Sequence, residues 1–162
     1  MESRLESSVK PAGLRRLRWA PALFLLVAAP LIAEVLPGAT RMRSIFVLPI
    51  EMGIWGVGAL FIREAVRRGG LGWRNMLLLG FALAIAEEFL IQQTSLATLV
   101  IEIQKGAPYA RDFGVNWLYL LWALFYESVL VVMVPVALAE LVFPARRDEG
   151  WVSTGGAIAC TI

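Results

Sequence analysis

Six glutamates, Glu34, Glu51, Glu87, Glu88, Glu127 and Glu140, lie inside or at the rims of stretches apolar enough to cross a bilayer, and those stretches hold no lysine, arginine or histidine. An ionisable side chain in hydrocarbon is costly enough that its default reading is functional, with a buried partner to be found. No basic partner stands within the spans. The acids must then be sheltered by neighbouring helices. The pattern predicts an all-α, polytopic transmembrane helical bundle with an internal acidic cluster.

Composition points the same way. Hydrophobic residues make up 59% of the 162 residues, against roughly 45 to 50% in soluble domains. The single cysteine, Cys160, excludes an intrachain disulfide, and the absence of histidine removes the commonest zinc or iron ligand. It also excludes Ser-His-Asp and Cys-His nucleophile activation within the chain. No cofactor and no metal site are expected.

Residues 1–18 carry Arg4, Lys10, Arg15, Arg16 and Arg18 ahead of an apolar run, as a signal peptide's charged segment does. The run is too long for that reading, continuing from Trp19 to about Leu36 with no small-x-small cleavage site before polar sequence. It is read as an uncleaved first span. Arg15 to Arg18 abut it and act as topology determinants, so no nucleic-acid partner is expected.

Four segments reach the roughly 20 apolar residues a spanning helix needs: Trp19 to Leu36, Ser44 to Ile62, Asn75 to Thr94 and Asn116 to Phe143. Pro21 suits a helix start. Pro30 and Pro135 lie within spans, where each removes a backbone bond and favours a kink. Five bases precede the first span, four (Arg63, Arg67, Arg68, Arg74) join the second to the third, and Arg146 and Arg147 follow the fourth. The opposite connections hold four: Arg41, Arg43, Lys105 and Arg111. This imbalance of eleven to four predicts a cytoplasmic N-terminus in a bacterial or archaeal cell membrane. Trp19, Trp73, Trp117 and Tyr119 fit interfacial belts.

Between Gln93 and Phe113 the apolar stretch Leu96 to Ile103 is too short to cross alone; it extends the third span, lies along the interface or re-enters. After the charged Arg146 to Glu149, the chain turns apolar again at Gly150 and reads as a fifth span cut short. The expected organisation is a basic tail (1–18), a four-span bundle (19–144), and a charged segment opening a truncated fifth span (145–162).

At 1.5 Å per helical residue, Glu34 lies about 3 to 5 Å below the outer surface, Glu51, Glu87 and Glu88 about 10 Å, and Glu127 about 16 Å. Glu34 is then shallow enough for solvent, and Glu140 belongs at the opposite rim with Arg146 and Arg147. Neighbours on a helix point about 100° apart, so Glu87 and Glu88 face two ways. Glu87 shares a face with Gly80 and Thr94, and Glu88 lies nearer Gln92 and Ser95. The same count aligns Glu127 with Asn116, Ala123 and Val134. Gly53, Gly56 and Gly58 follow Glu51 and form a small-residue surface for close helix approach.

Ala29-Pro30 through Glu34-Val35-Leu36 to Gly38, Gly58-Ala59-Leu60-Phe61-Ile62-Arg63-Glu64, Leu71-Gly72-Trp73, Glu87-Glu88, Gly114-Val115-Asn116-Trp117, Val134-Pro135 and Glu140-Leu141-Val142-Phe143-Pro144 occur in this order. In them the chain resembles a largely uncharacterised family of prokaryotic multi-pass membrane proteins. The resemblance implies additional spans beyond the position of Trp151 and brings no reaction with it. Glu127 stands where members of that family tend to have histidine, and the stretch after Gln93 lacks their Ser-Leu-Phe-Asn-Pro ending. A more distant similarity is to CAAX-protease-like membrane proteins, through Glu87-Glu88. Here Gln92 occupies the place of that motif's arginine, and the histidines are absent.

The expected function is proton- or cation-coupled movement of a small solute. Glu51, Glu87, Glu88 and Glu127 act as proton acceptors or cation ligands, with Gln92, Thr94 and Asn116 as supporting polar groups. The competing class is a membrane-embedded accessory or structural protein whose acids bond between helices or meet a partner protein. An inactive relative of the intramembrane proteases comes third. The expected partners are the lipid bilayer and either a small solute or a membrane-protein partner.

Overall fold

The computed structural model describes residues 19–96 and 110–152. The basic tail, the apolar stretch from residue 97 to Ile103, Cys160 and nearly all of the expected fifth span lie outside the described residues. Four helices carry the fold: α1 (Ala20–Val35), α2 (Met42–Arg68), α3 (Trp73–Ala86, continued by Glu87–Ile91) and α4 (Trp117–Val142). Strands β1 (Arg111–Asp112) and β2 (Val115–Asn116) pair antiparallel ahead of α4. Phe113 and Gly114, both left-handed with φ of 49° and 80°, close this hairpin, as a two-residue turn of its twist requires.

Two of the helices, α2 with 27 residues and α4 with 26, are long and apolar enough to cross a membrane. The α1 helix is apolar but shorter, and α3 places Arg74, Glu87 and Glu88 within one span's length. Each helix sits within a few residues of its expected position except at one end. The sequence reading ends the second span at Ile62 and counts Arg63, Arg67 and Arg68 in a loop. Instead α2 runs on to Arg68, because Glu64 pairs with Arg68 one turn on at 2.9 Å and the chain stops only at Gly69 and the left-handed Gly70.

The core is built from small and β-branched side chains: Ala29, Ala33, Ala59 and Ala139 with Val66, Val132 and Val136. Alanine-rich contacts allow backbones to approach closely. Gly56 carries this furthest, since a Cβ there would lie 2.4 Å from the Leu26 carbonyl oxygen on α1. Gly80 of α3 does the same against Ser128 of α4, at 3.0 Å from its Cα. Of the three glycines after Glu51, Gly56 meets a helix backbone, Gly58 meets the Leu83 side chain, and Gly53 faces open space. The outward faces are apolar instead. Leu78, Leu90, Leu118 and Leu141 are all more than 60% exposed, and soluble monomers rarely display contiguous apolar surface on this scale.

At the end of α3, Gln93 is left-handed with φ of 57°, so Leu96 does not continue that helix. Pro135 produces no break in α4, because a π-helical turn precedes it and the α-helix resumes with Pro135 in its first turn.

Candidate functional site

Every helix widens into a π-helical turn at an acid. Leu31–Val35 contains Glu34, Met52–Gly56 begins directly after Glu51, Glu87–Ile91 opens with the Glu87-Glu88 pair, and Glu127–Met133 opens with Glu127. Such turns are rare, insert an extra residue and cluster at functional sites. They also free backbone carbonyls, which need new donors in an apolar interior. The Tyr126 hydroxyl donates to the Ala33 carbonyl across α4 and α1, and Ser128 Oγ donates to the Leu124 carbonyl at 2.5 Å.

These turns gather five carboxylates. Glu34, Glu87 and Glu88 all lie within electrostatic reach of Glu127, and Glu34 is also within reach of Glu51 and Glu87. Glu34 is half-buried. The sequence reading sets it aside as solvated, and the structure returns it to the cluster. Depth along one helix missed this, because α4 covers the Glu34 turn through Tyr126.

The members differ in how they are satisfied. Glu88 Oε2 accepts from the Ser95 amide at 2.7 Å and from Ser95 Oγ at 2.5 Å. Ser95 is itself buried, and its carbonyl accepts from the Asn116 amide. Glu88 thus ties the turn after α3 to the start of α4, which agrees with its expected nearness to Ser95. Glu51 accepts from Thr40 Oγ1 at 2.5 Å through one oxygen, while its other is buried with no partner among the described residues. The same holds for Glu127 Oε2. Glu87 is the extreme case, with no exposed surface and neither oxygen bonded to any described residue.

The supporting residues stand at different distances from the cluster. Thr94 hydrogen-bonds to Tyr119, which lies within electrostatic reach of Glu88, Glu127 and Glu34. Gln92 is exposed, its side-chain oxygen accepting from Thr94 Oγ1 at 3.4 Å. Asn116 caps α4, its Oδ1 accepting from the Tyr119 amide at 3.1 Å. Val134 is 39% exposed although Ala123 and Asn116 on its expected face are buried. The π-turn between them adds a residue and rotates everything beyond it.

A second polar centre lies at the other end of α2, and the sequence reading places its parts differently. Glu140 is buried and pairs with Arg67 at 2.6 Å and Arg63 at 3.4 Å, not with Arg146 and Arg147. Those two contribute backbone carbonyls instead, which accept from Arg63 Nη2 at 3.3 and 2.6 Å. Arg63 Nη1 donates to Glu64 at 2.9 Å and to the Glu149 carbonyl at 2.5 Å. Arg63 has no exposure, and Trp151 covers its guanidinium. A buried arginine with all these acceptors is a structural clasp, closing the segment after α4 onto α2.

Among the described residues, no three of His, Cys, Asp and Glu are arranged to hold a metal ion. The acids of the cluster attract positive charge without converging on one point. Comparisons with protein families, with characterised proteins and with solved structures find no match to this chain.

Proposed function

We propose that this chain is a multi-pass protein of a prokaryotic cytoplasmic membrane, with α1 to α4 all spanning and its N-terminus in the cytoplasm. Its glutamate cluster takes up protons or small cations and couples them to the movement of a small solute. Two helices of spanning length and the apolar outward faces support the membrane placement. The observation that carries the function is Glu87, a fully buried carboxylate amid other acids whose two oxygens have no hydrogen-bond partner among the described residues. A side chain kept only for stability would be expected to have its acceptors filled, as Glu88 has.

The test is flux in proteoliposomes under an imposed pH or cation gradient. Wild type is expected to dissipate the gradient, with Glu87→Gln and Glu127→Gln each slowing it about 100-fold or more, the scale of losing one proton-transfer group. Folded variants that carry the same flux as wild type would defeat the proposal. Flat flux in all three proteins would favour the accessory reading. One feature of the structure supports that reading, an apolar hollow of about 510 Å³ along α4 at Leu118, Leu121, Trp122, Phe125, Tyr126 and Val129.

A further inference from the structure

Glu87 also lines a groove of about 310 Å³ between α2 and α3, with Gly53, Ile54, Val57, Gly58, Phe61, Leu83 and Ile91 as its other walls. Among the described residues that line it, Glu87 alone is titratable. The volume is at the lower end of what small-molecule sites occupy, and an apolar cleft with one placed polar group is their usual form. Three observations bear on its occupant. The walls are apolar along their length, and Phe61 and Ile91 are half-exposed on the outward face, so the groove opens sideways. Gly53 leaves room, since a Cβ there would meet nothing within 4 Å. The one carboxylate has no hydrogen-bond donor among the described residues.

We infer that this groove binds an amphiphilic ammonium ion arriving laterally from the lipid, its apolar tail along Ile54, Val57 and Phe61 and its charged head on Glu87. This inference rests on the cation-binding reading of the cluster and names its substrate class. A hydrated inorganic cation has no polar wall in the groove to replace its water. A neutral lipid tail would leave the carboxylate oxygens without a donor. An ammonium head supplies N–H donors and positive charge together. The flexible ends of Leu83 and Ile91 must rotate to admit it, and neither is held by a polar contact.

The experiment uses the full chain in nanodiscs and a dodecylamine carrying a photoreactive diazirine at its tail end, with adduct positions read by mass spectrometry. Adducts are expected on Gly53 to Phe61 and on Leu83 to Ile91. Unlabelled dodecylamine is expected to suppress them and dodecanol to leave them. Glu87→Gln is expected to weaken labelling by about 30-fold or more, the scale of removing one partner of a buried charge pair. Gly53→Phe fills the groove with the carboxylate in place and is expected to abolish labelling. Equal competition by dodecanol, unchanged labelling in Glu87→Gln, or adducts spread over the outer face of α4 would each overturn the inference. Proton flux measured on the same proteins separates the two claims. A Glu87-dependent flux without amine labelling removes the amphiphile alone, whereas loss of both removes the coupling reading as well.

Discussion

The guanidinium carbon of Arg63 lies 3.5 Å from the centre of the Trp151 ring, and the two side chains are 0% and 3% exposed. A cation on an indole face gains most when both are withdrawn from water. This contact seals the clasp in which Glu64, Glu140 and three backbone carbonyls surround one arginine. Arg63→Met is expected to cost about 3 kcal/mol, because it removes one of two arginine partners from each of two buried carboxylates and leaves three backbone carbonyls without their donor. Unfolding titrations in mixed micelles will show it, and a loss within experimental error would mean that the clasp is not formed.

The close approach of α1 and α2 gives a contrast between two glycines one turn apart. Gly56→Ala drives a methyl group into the Leu26 backbone and is expected to cost about 1 to 3 kcal/mol as overpacking. Gly53→Ala meets open space and is expected to stabilise α2 by up to about 1 kcal/mol through helix propensity. Opposite signs in one unfolding assay will confirm the packing, and equal effects will contradict it.

Ser95 supplies both described donors to Glu88 Oε2. Removing its hydroxyl in Ser95→Ala leaves one of them and is expected to cost about 1.5 to 3 kcal/mol if the acceptor is charged. Amide hydrogen exchange at Asn116, whose N–H reaches the Ser95 carbonyl, is expected to quicken with it. Unchanged exchange would uncouple the α3 turn from α4.

The hairpin before α4 places Phe113 in the left-handed region, at φ 49° with 90% exposure. Asparagine accepts that geometry more readily. Phe113→Asn is expected to be neutral or to stabilise by about 1 kcal/mol, relieving backbone strain, and a loss of stability would assign the exposed ring a structural contact.

The helices are legible because each is an apolar run bounded by proline, charge or a capping amide, and Pro21 and Asn116 mark helix starts in the structure. What failed had physical causes. Arg63 and Arg67 read as loop residues because arginine within a membrane run has no visible partner; theirs is Glu140, more than seventy positions on. Val134 falls off its expected face because counting 100° per residue cannot cross the π-turn at Glu127. Depth along one helix makes Glu34 look solvated, whereas its surroundings come from three others. Glu87 is legible as a buried acid, but only the packed structure shows that neither oxygen has a donor among the described residues.

Topology is testable independently of mechanism. With Cys160 replaced, cysteines at Arg41 or Arg111 are expected to react with an impermeant thiol reagent from outside intact cells. A cysteine at the exposed Arg74 is expected to be protected. Arg67 is a poor reporter because its side chain is committed to Glu140. The reverse pattern of labelling would invert the orientation.

The proposed coupling requires Glu87, a buried carboxyl group, to exchange its charge. Infrared difference spectroscopy across a pH titration of the reconstituted protein follows this exchange, since a protonated carboxyl has its own carbonyl-stretch band. A titrating band is expected that disappears in Glu87→Gln while the protein stays folded. A spectrum unchanged by that substitution, or no titrating carboxyl band in wild type, would contradict it.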